Sequence, residues 1–321
     1  MKHKKRRIIL LSIILVLILF FFGLSYFIGE QVFKSTSQLV TNEETTGVGD
    51  SFWETYNLDY EEMLRQYRVE KIEVPSTLDG HTIPGDYLYA VDAANKNHDT
   101  VILVHGMGGN RYSNYPLAAY FLEQGYNVIT YDQRSSGENT APYTTFGYWE
   151  KYDVIDLVQQ TTAEAPDKHI GLWGTSMGGA TVGLALLDST VNESVDFAIL
   201  DCPVSSMEAM LTAEMERMDT GIPIGYMLFC GNVVNNLKLH FSYQDADVPA
   251  AVAHTEVPVF IINSEADTLT PDFMGDDIYR AVAHSNKQIW TVPDSEHTEV
   301  WLDYNDEYRR RMSGFIEQAI S

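Results

Sequence analysis

The sequence predicts an α/β fold, in which a mostly parallel β-sheet is covered by helices on both faces. From residue 100 onwards, short apolar runs typical of buried strands alternate with longer segments typical of helices. One strand-to-helix junction carries Gly174-Thr-Ser-Met-Gly178, whose small residues suit a sharp turn. A separate apolar run at residues 8–28 predicts an N-terminal transmembrane helix.

The N-terminus has the pattern of a basic flank followed by a membrane anchor. Five of the first seven residues are lysine or arginine, and the 21 residues from 8 to 28 carry no charge. That length crosses a bilayer core as a helix and exceeds the apolar core of a cleaved signal peptide. We therefore expect a signal-anchor at 8–28, with residues 1–7 in the cytoplasm and the rest outside. Cleavage after Gly23-Leu-Ser25 is the alternative.

Charge limits the classes of partner. The chain has 21 basic and 45 acidic residues, and the basic N-terminal flank makes the remainder more acidic still. Such a domain is repelled by phosphate backbones, so we expect no nucleic-acid partner. The two cysteines, Cys202 and Cys230, have neither metal-ligand nor disulfide-framework spacing. A single disulfide between them and two buried thiols both remain open.

Residues 29–58 are polar, and we interpret them as a stalk or linker that lifts a folded domain, 59–321, off the membrane. That domain begins with a short helix near 59–67. A hairpin follows, with strands at 69–74 and 82–91 joined around Asp79-Gly80.

The alternating part of the domain is predicted element by element from its apolar runs. Strands are expected at 101–104, 127–131, 168–173, 195–200, 257–263 and 287–292, and helices near 115–124, 152–165, 179–186, 271–283 and 304–320. The interval 203–255 breaks the rhythm and is rich in methionine. We expect it to be a small helical lid whose methionines form its core.

Three residues in successive strand-end loops have the types and the order of a catalytic triad. Ser176 is the expected nucleophile, although an ordinary tight turn is the alternative. His297 follows the last predicted strand and is the expected general base. A carboxylate must fix the histidine tautomer, and Asp267 has the best placement for that role. Glu265 and Asp272 are its competitors.

A negative charge that develops on the substrate oxygen needs backbone N–H donors. We expect them from Met177, directly after the nucleophile, and from Met107 in the loop His105-Gly-Met-Gly-Gly-Asn110. His105 itself is interpreted as a residue that structures this loop. The loop lacks the G-x-G-x-x-G spacing of dinucleotide-binding proteins. No ligand cluster is present in the sequence, so we expect neither a cofactor nor a metal.

These motifs together resemble the α/β-hydrolase superfamily over residues 70–320. The resemblance rests on the 105–110 loop, the Tyr131–Gly137 turn, the 174–179 turn, and the spacing of Asp267 and His297. The segments 143–153 and 200–203 look like a bacterial branch of membrane-anchored or exported hydrolases, cinnamoyl-esterase-like or peptidase-like. The resemblance implies an eight-stranded core, a lid after the sixth strand and an acyl-enzyme mechanism. Ser135-Ser136 departs from it, replacing the usual glycine after Arg134.

The sequence thus predicts a single-pass membrane protein with an extracytoplasmic serine hydrolase domain. It would cleave carboxylic esters of small-molecule or lipid-like substrates, with Ser176, His297 and Asp267 as its triad. A serine peptidase or acylpeptide hydrolase of the same fold is the first alternative. A catalytically silent binding module on a hydrolase scaffold is the second.

Overall fold

The computed structural model describes residues 2–48, 54–55, 59–90, 95–218 and 220–321. Four parts of the sequence predictions lie outside these residues. They are residue 1 of the cytoplasmic flank, the segments 49–53 and 56–58 of the expected stalk, the last predicted residue of the second strand, Val91, and Asp219 of the predicted lid.

An eight-stranded sheet forms the centre of the described domain. Its strands are β1 Val69–Pro75, β2 Thr82–Leu88, β3 Thr100–Val104, β4 Asn127–Tyr131, β5 Ile170–Thr175, β6 Phe197–Asp201, β7 Val259–Ser264 and β8 Lys287–Val292. Their order across the sheet is 1-2-4-3-5-6-7-8. β2 is antiparallel to β1 and β4, and all other neighbours are parallel. The predicted α/β class and the hairpin are both confirmed.

The helices of the described residues cover both faces of the sheet and extend beyond it at the N-terminus. They are α1 Lys2–Ser37, α2 Asn42–Thr45, α3 Tyr60–Gln66, α4 Tyr115–Glu123, α5 Glu150–Glu164, α6 Met177–Ala185, α7 Ser189–Ser194, α8 Met207–Arg217, α9 Ile224–Leu239, α10 Val248–Val252, α11 Phe273–Ala281, α12 Val300–Asp303 and α13 Asn305–Ala319.

The sheet separates two apolar layers because successive residues of a strand point to opposite faces. Ile102 and Leu172 belong to the layer formed with α5 and α6. Val101 and Leu103 belong to the layer formed with α4 and α13. Every residue of β3 is buried, which explains why this strand is a continuous apolar run in the sequence.

The predicted lid interval contains α8, α9, a short 3₁₀ helix and α10, with no strand among its described residues. Met207, Met215 and Met227 are buried, but not in a separate lid core: Met207 belongs to the layer formed with α5 and α6, and Met215 and Met227 pack with Val32 of α1. Met218 differs from them because its side chain is largely exposed.

The structure differs from the predicted stalk over residues 29–48. Helix α1 continues past residue 28 to Ser37, and the side chains of Val32 and Phe33 are buried against the domain. Thr45 is also buried. Its hydroxyl accepts the Gly137 N–H at 2.7 Å, and its carbonyl accepts an Asn110 side-chain N–H at 2.8 Å. The segment is polar in composition, yet it packs against the domain. A few apolar side chains and several hydrogen bonds to the backbone are sufficient to hold it there.

The serine that departs from the family pattern helps to hold this segment in place. Ser135 has φ 61°, a left-handed conformation that glycine adopts more readily. Its hydroxyl donates a hydrogen bond to the Val40 carbonyl at 2.8 Å. Thr144 N–H donates to the Ser37 carbonyl at 3.2 Å in the same region. The side chain of Ser135 therefore supplies an attachment point that glycine would lack.

Candidate active site

Ser176 lies on a strained turn between β5 and α6. Its backbone has φ 56° and ψ −121°, a combination rarely adopted by a residue with a side chain. The flanking glycines explain why the turn forms. A Cβ on Gly174 would lie 2.3 Å from the Gly178 carbonyl oxygen, and one on Gly178 would lie 2.2 Å from the Val104 carbonyl oxygen. Only glycine lets strand, turn and helix approach this closely.

Replacing Gly174 by alanine is expected to destabilise the protein by about 1–3 kcal/mol, because the clash is with backbone that cannot rotate away. The measurement is the free energy of unfolding from urea titration in detergent micelles. Gly314→Ala is the matched control, since no atom lies within 4 Å of its Cβ and it sits within α13. It should be neutral or stabilising by up to ~1 kcal/mol. Equal stabilities for the two variants would contradict the role of Gly174.

The structure brings the three residues selected from the sequence into one hydrogen-bonded row. His297 Nε2 lies 2.9 Å from Ser176 Oγ, and His297 Nδ1 lies 2.7 Å from Asp267 Oδ2. These separations are those of a nucleophile, its base and the group that orients the base. Ser176 and Asp267 are buried, whereas the His297 side chain is 19% exposed, so solvent reaches the row at the histidine.

The two competing carboxylates are placed elsewhere. The Glu265 side chain points towards solvent, and Asp272 precedes α11, where its carbonyl accepts a hydrogen bond from Asn263. Neither carboxylate is within hydrogen-bonding distance of His297 in the described part of the chain. The geometry therefore distinguishes Asp267 from the alternatives that the sequence left open.

Hydrogen bonds keep the Asp267 carboxylate charged. Burial alone would raise its pKa, but hydrogen bonds from His297 and from the Thr270 backbone and side chain outweigh that effect and lower the pKa below its usual value. The N–H groups of Leu269 and Thr270 both donate to Oδ1 at 2.8 Å. The Thr270 hydroxyl lies 2.8 Å from Oδ2 and 3.1 Å from His297 Nδ1. Sequence reasoning missed Thr270, whose only signal was its position before Pro271 at a helix start.

The glycine-rich loop after β3 passes directly beside the serine. A Cβ on Gly106 would lie 3.3 Å from Ser176 Cβ. Met177 is the first residue of α6, so its N–H has no acceptor within the helix. Among the described residues, the N–H groups of Met107 and Met177 have no protein acceptor. Both segments that were predicted to bind an oxyanion therefore border Ser176 with unoccupied donors.

His105 has the structural role expected from the sequence. Its Nε2 accepts the Gln133 N–H at 3.0 Å, and its Nδ1–H donates to the Gly106 carbonyl at 2.7 Å. Complete burial lowers the pKa of this histidine, which favours the neutral ring that these two bonds require. His105 thus connects the glycine-rich loop to the turn after β4.

Cys202 lies beside the triad, and both cysteines are buried free thiols. One donor atom each from Cys202, Asp267 and His297 lies within 4.8 Å of the others, a spacing that fits metal ligation. Burial raises the pKa of the Cys202 thiol well above its ordinary value, so the thiol is protonated in the metal-free protein. His297 is also already bonded through both ring nitrogens.

Asp201, at the end of β6, is a buried carboxyl close to this site. Its Oδ2 accepts a hydrogen bond from the Tyr308 hydroxyl at 3.0 Å, and burial raises its pKa to about 7. An unfolded aspartate has a pKa of ~3.9. Between these two values the folded state binds a proton that the unfolded state has lost, so stability falls as pH rises.

We expect Asp201→Asn to flatten this dependence. In the wild type, Asp201 should lower the free energy of unfolding by up to about 1.4 kcal/mol per pH unit between its two pKa values. Urea titrations at several pH values from 4 to 8 would measure the slope. Asp277→Asn, which removes an exposed carboxylate on α11, is the control and should keep the wild-type slope. Identical slopes in wild type and Asp201→Asn would contradict the prediction.

A groove of about 940 Å³ lies between α8 and the loop that follows β7. Its lining includes Glu208, Thr212 and Arg217 on one side and Asp267 and Phe273 on the other. The groove thus borders Asp267 and does not include Ser176 or His297.

Comparison with known proteins agrees with this fold. A family model described as "alpha/beta hydrolase fold" matches residues 99–227, which include Ser176. YqkD of Bacillus subtilis is 24% identical over 285 residues, covering 88% of each chain. The lysophosphatidylserine lipase ABHD12 of Rattus norvegicus is 23% identical over 217 residues, 64% of this chain and 53% of that protein.

A solved structure has the same architecture. The Pyrococcus furiosus esterase Pf2001 superposes with a TM-score of 0.66 at 20% sequence identity, covering 87% of this chain and 97% of the esterase. At that identity the likeness concerns the fold. The matching family model and this shared architecture show that the chain has an α/β-hydrolase fold.

Proposed function

We propose that this protein is a membrane-anchored, extracytoplasmic serine hydrolase that cleaves carboxylic esters through an acyl-enzyme. The observation that carries the proposal is the hydrogen-bonded row Ser176–His297–Asp267, with separations of 2.9 and 2.7 Å, on a turn with strained backbone at the serine. A serine hydroxyl becomes a nucleophile when a histidine takes its proton and a carboxylate fixes the histidine tautomer.

In the first half-reaction, His297 Nε2 takes the Ser176 proton while Oγ bonds to the ester carbonyl carbon. The carbonyl oxygen becomes negatively charged and accepts hydrogen bonds from the Met107 and Met177 N–H groups. The carbon–oxygen bond to the alcohol then breaks, and His297 gives the leaving alcohol its proton. Asp267 stabilises the imidazolium ion in between.

In the second half-reaction, water replaces the alcohol. His297 takes a proton from water, and the hydroxide bonds to the acyl carbon. Collapse of this second tetrahedral intermediate breaks the bond to Ser176 Oγ, which recovers its proton from His297. The products are a carboxylic acid and free enzyme, so neither a cofactor nor a metal enters the balance.

Two considerations favour ester cleavage over the alternatives. One relative is named as a lipase and one structural neighbour as an esterase, and both names denote ester hydrolysis. A silent binding module has no need for a complete row of nucleophile, base and carboxylate, and Gly174 and Gly178 would be unnecessary constraints in it.

The proposed anchor is the first part of α1. Residues 8–22 of this helix are exposed, and the helix is long and apolar enough to cross a membrane. The basic residues before it favour a cytoplasmic N-terminus and hence an external domain.

A fluorophosphonate probe tests the activated serine in the detergent-solubilised full chain. We expect one labelled peptide containing Ser176, and turnover of p-nitrophenyl esters that exceeds turnover of aminoacyl p-nitroanilides. Faster cleavage of the anilides would replace the esterase assignment with the peptidase. A folded protein that neither labels nor hydrolyses would instead be a binding module.

A further inference from the structure

The lid carries an exposed apolar surface that the proposed chemistry does not use. Residues 220–237 contain no charged side chain, although the chain as a whole has a net charge of −24. Their large exposed apolar residues are here called the lid face, which consists of Ile222, Phe229, Val233 and Leu237. Phe229 and Leu237 are 64% and 65% exposed, which is unusual for large apolar side chains and typical of an interaction surface.

The lid face follows one side of helix α9. Phe229, Val233 and Leu237 are spaced four residues apart, so they form a row along the helix. The side chains of Met227, Cys230 and Val234 are buried along the adjacent side. The helix is therefore packed on one face and presents a continuous apolar row beside it.

Helix α9 runs parallel to the part of α1 that leaves the proposed membrane span. Near the start of α9, Tyr226 hydrogen-bonds Ser25 at 2.7 Å, and its ring lies 6.2 Å from that of Phe21. Near the end of α9, Lys238 forms an ion pair with Glu30 at 2.7 Å. The order of these contacts along both helices fixes their common direction.

The alignment of α9 with α1 determines how deep the lid lies relative to the membrane. If residues 8–28 span the hydrocarbon, Phe21 lies about 10 Å inside its outer boundary, at 1.5 Å per residue. Tyr226 lies at the level of Phe21 and Ser25, and its hydroxyl has a partner there, as polar groups in hydrocarbon require. The Glu30–Lys238 pair lies beyond the boundary. Helices that lie in a membrane interface are buried by a similar ~5–10 Å.

We propose that the deeper end of the lid face, Ile222 and Phe229, inserts into the hydrocarbon of the outer leaflet beside α1, so that the hydrolase is held to the bilayer at two places. Leu237 adjoins Lys238 and lies at the level of its ion pair with Glu30, beyond the boundary. This proposal rests on the membrane anchor of the proposed function. The occupant is lipid hydrocarbon because the face is uncharged and continuous with α1 at the level of its apolar run. Its binding is hydrophobic, so it does not need anionic lipid and is compatible with an acidic domain.

Fluorescence quenching of the full chain in phosphatidylcholine vesicles tests the insertion. Ile222→Cys and Phe229→Cys would each be labelled with an environment-sensitive dye. Cys202 and Cys230 are buried, and the protein without added cysteine measures their background labelling. Leu78→Cys is the matched control, an exposed leucine in the turn between β1 and β2. We expect doxyl-labelled lipid to quench the dye at 222 and 229 and aqueous iodide to quench it at 78.

A dye at Leu15→Cys, within the proposed span, separates failure of this inference from failure of the anchor. Lipid quenching at 15 with iodide quenching at 222 and 229 would overturn the inserted lid and leave the anchor intact. Protection of 222 and 229 from both quenchers would also overturn it, since a second copy or another protein would then cover the face. No lipid quenching at 15 would refute the anchor and this inference together. None of these readings depends on hydrolytic activity, and circular dichroism of each variant checks folding.

Discussion

Ser176→Ala is expected to lower kcat for p-nitrophenyl ester hydrolysis by roughly 10⁵- to 10⁶-fold, the scale seen when the nucleophile of a triad is removed. The loss is this large because, among the described residues, Ser176 supplies the one hydroxyl that contacts His297 Nε2. Fluorophosphonate labelling should disappear in the same variant. Stability should change little, because the strain at this position is in the backbone and alanine keeps the same φ and ψ.

Ser285→Ala is the control for this measurement. Ser285 is exposed between α11 and β8, far along the chain from Ser176, so its variant should keep wild-type kcat and labelling. Both variants should have the wild-type circular dichroism spectrum. Ester hydrolysis that survives in folded Ser176→Ala would remove the serine mechanism and require another nucleophile.

The three residues of the proposed triad could be selected from the sequence because their signals are local and ordered. The tight turn at Ser176 needs small neighbours within two residues, and this constraint is visible in the sequence as Gly174 and Gly178. Asp267 and His297 each follow an apolar strand, β7 and β8, and neighbouring parallel strands bring their carboxyl ends to one edge. The chain order then left only nearby carboxylates as alternatives.

The packing of residues 29–48 could not be predicted because it depends on distant partners. A Cβ on Gly29 would lie 2.3 Å from the carbonyl oxygen of Cys230, about two hundred residues away along the chain. Polar residues dominate the segment, and Thr45 is held in place by a hydrogen bond that its hydroxyl accepts from the backbone N–H of Gly137. Composition reports the average polarity of a segment and gives no information on which of its few apolar or hydroxyl groups is buried.

The short helix α7 and the contacts of Thr270 and Asp201 could not be predicted from the sequence for a related reason. Helix α7, Ser189–Ser194, has fewer than two turns and so lacks a measurable apolar period. Its start is fixed by the Asp188 side chain, which accepts the Thr190 N–H. Thr270 and Asp201 influence the site through hydrogen bonds and burial, and both effects depend on the folded neighbourhood rather than on a sequence motif.

Asp267→Asn is expected to lower kcat by about 10⁴-fold, because an amide no longer selects the histidine tautomer or stabilises the imidazolium ion. Ester turnover in the detergent-solubilised full chain would measure this loss. The fold should survive, since the asparagine Oδ1 can still accept the N–H groups of Leu269 and Thr270. Glu265→Gln and Asp272→Asn are the controls and should retain turnover within a few-fold of wild type. A large loss in either control, with activity kept in Asp267→Asn, would assign the orienting role to another carboxylate.

The pH dependence of the same enzymes provides a second test of Asp267. Hydrogen bonds from His297 and Thr270 hold the pKa of this carboxyl below its usual value despite burial. A lowered folded-state pKa stabilises the protein at pH values above the unfolded value of ~3.9, and this contribution is lost as pH falls through the folded value. Wild-type stability should therefore decline on acidification below ~3.9 more steeply than that of Asp267→Asn. This difference follows from the hydrogen bonds alone, so it would persist even in a Ser176→Ala background in which no turnover can be measured.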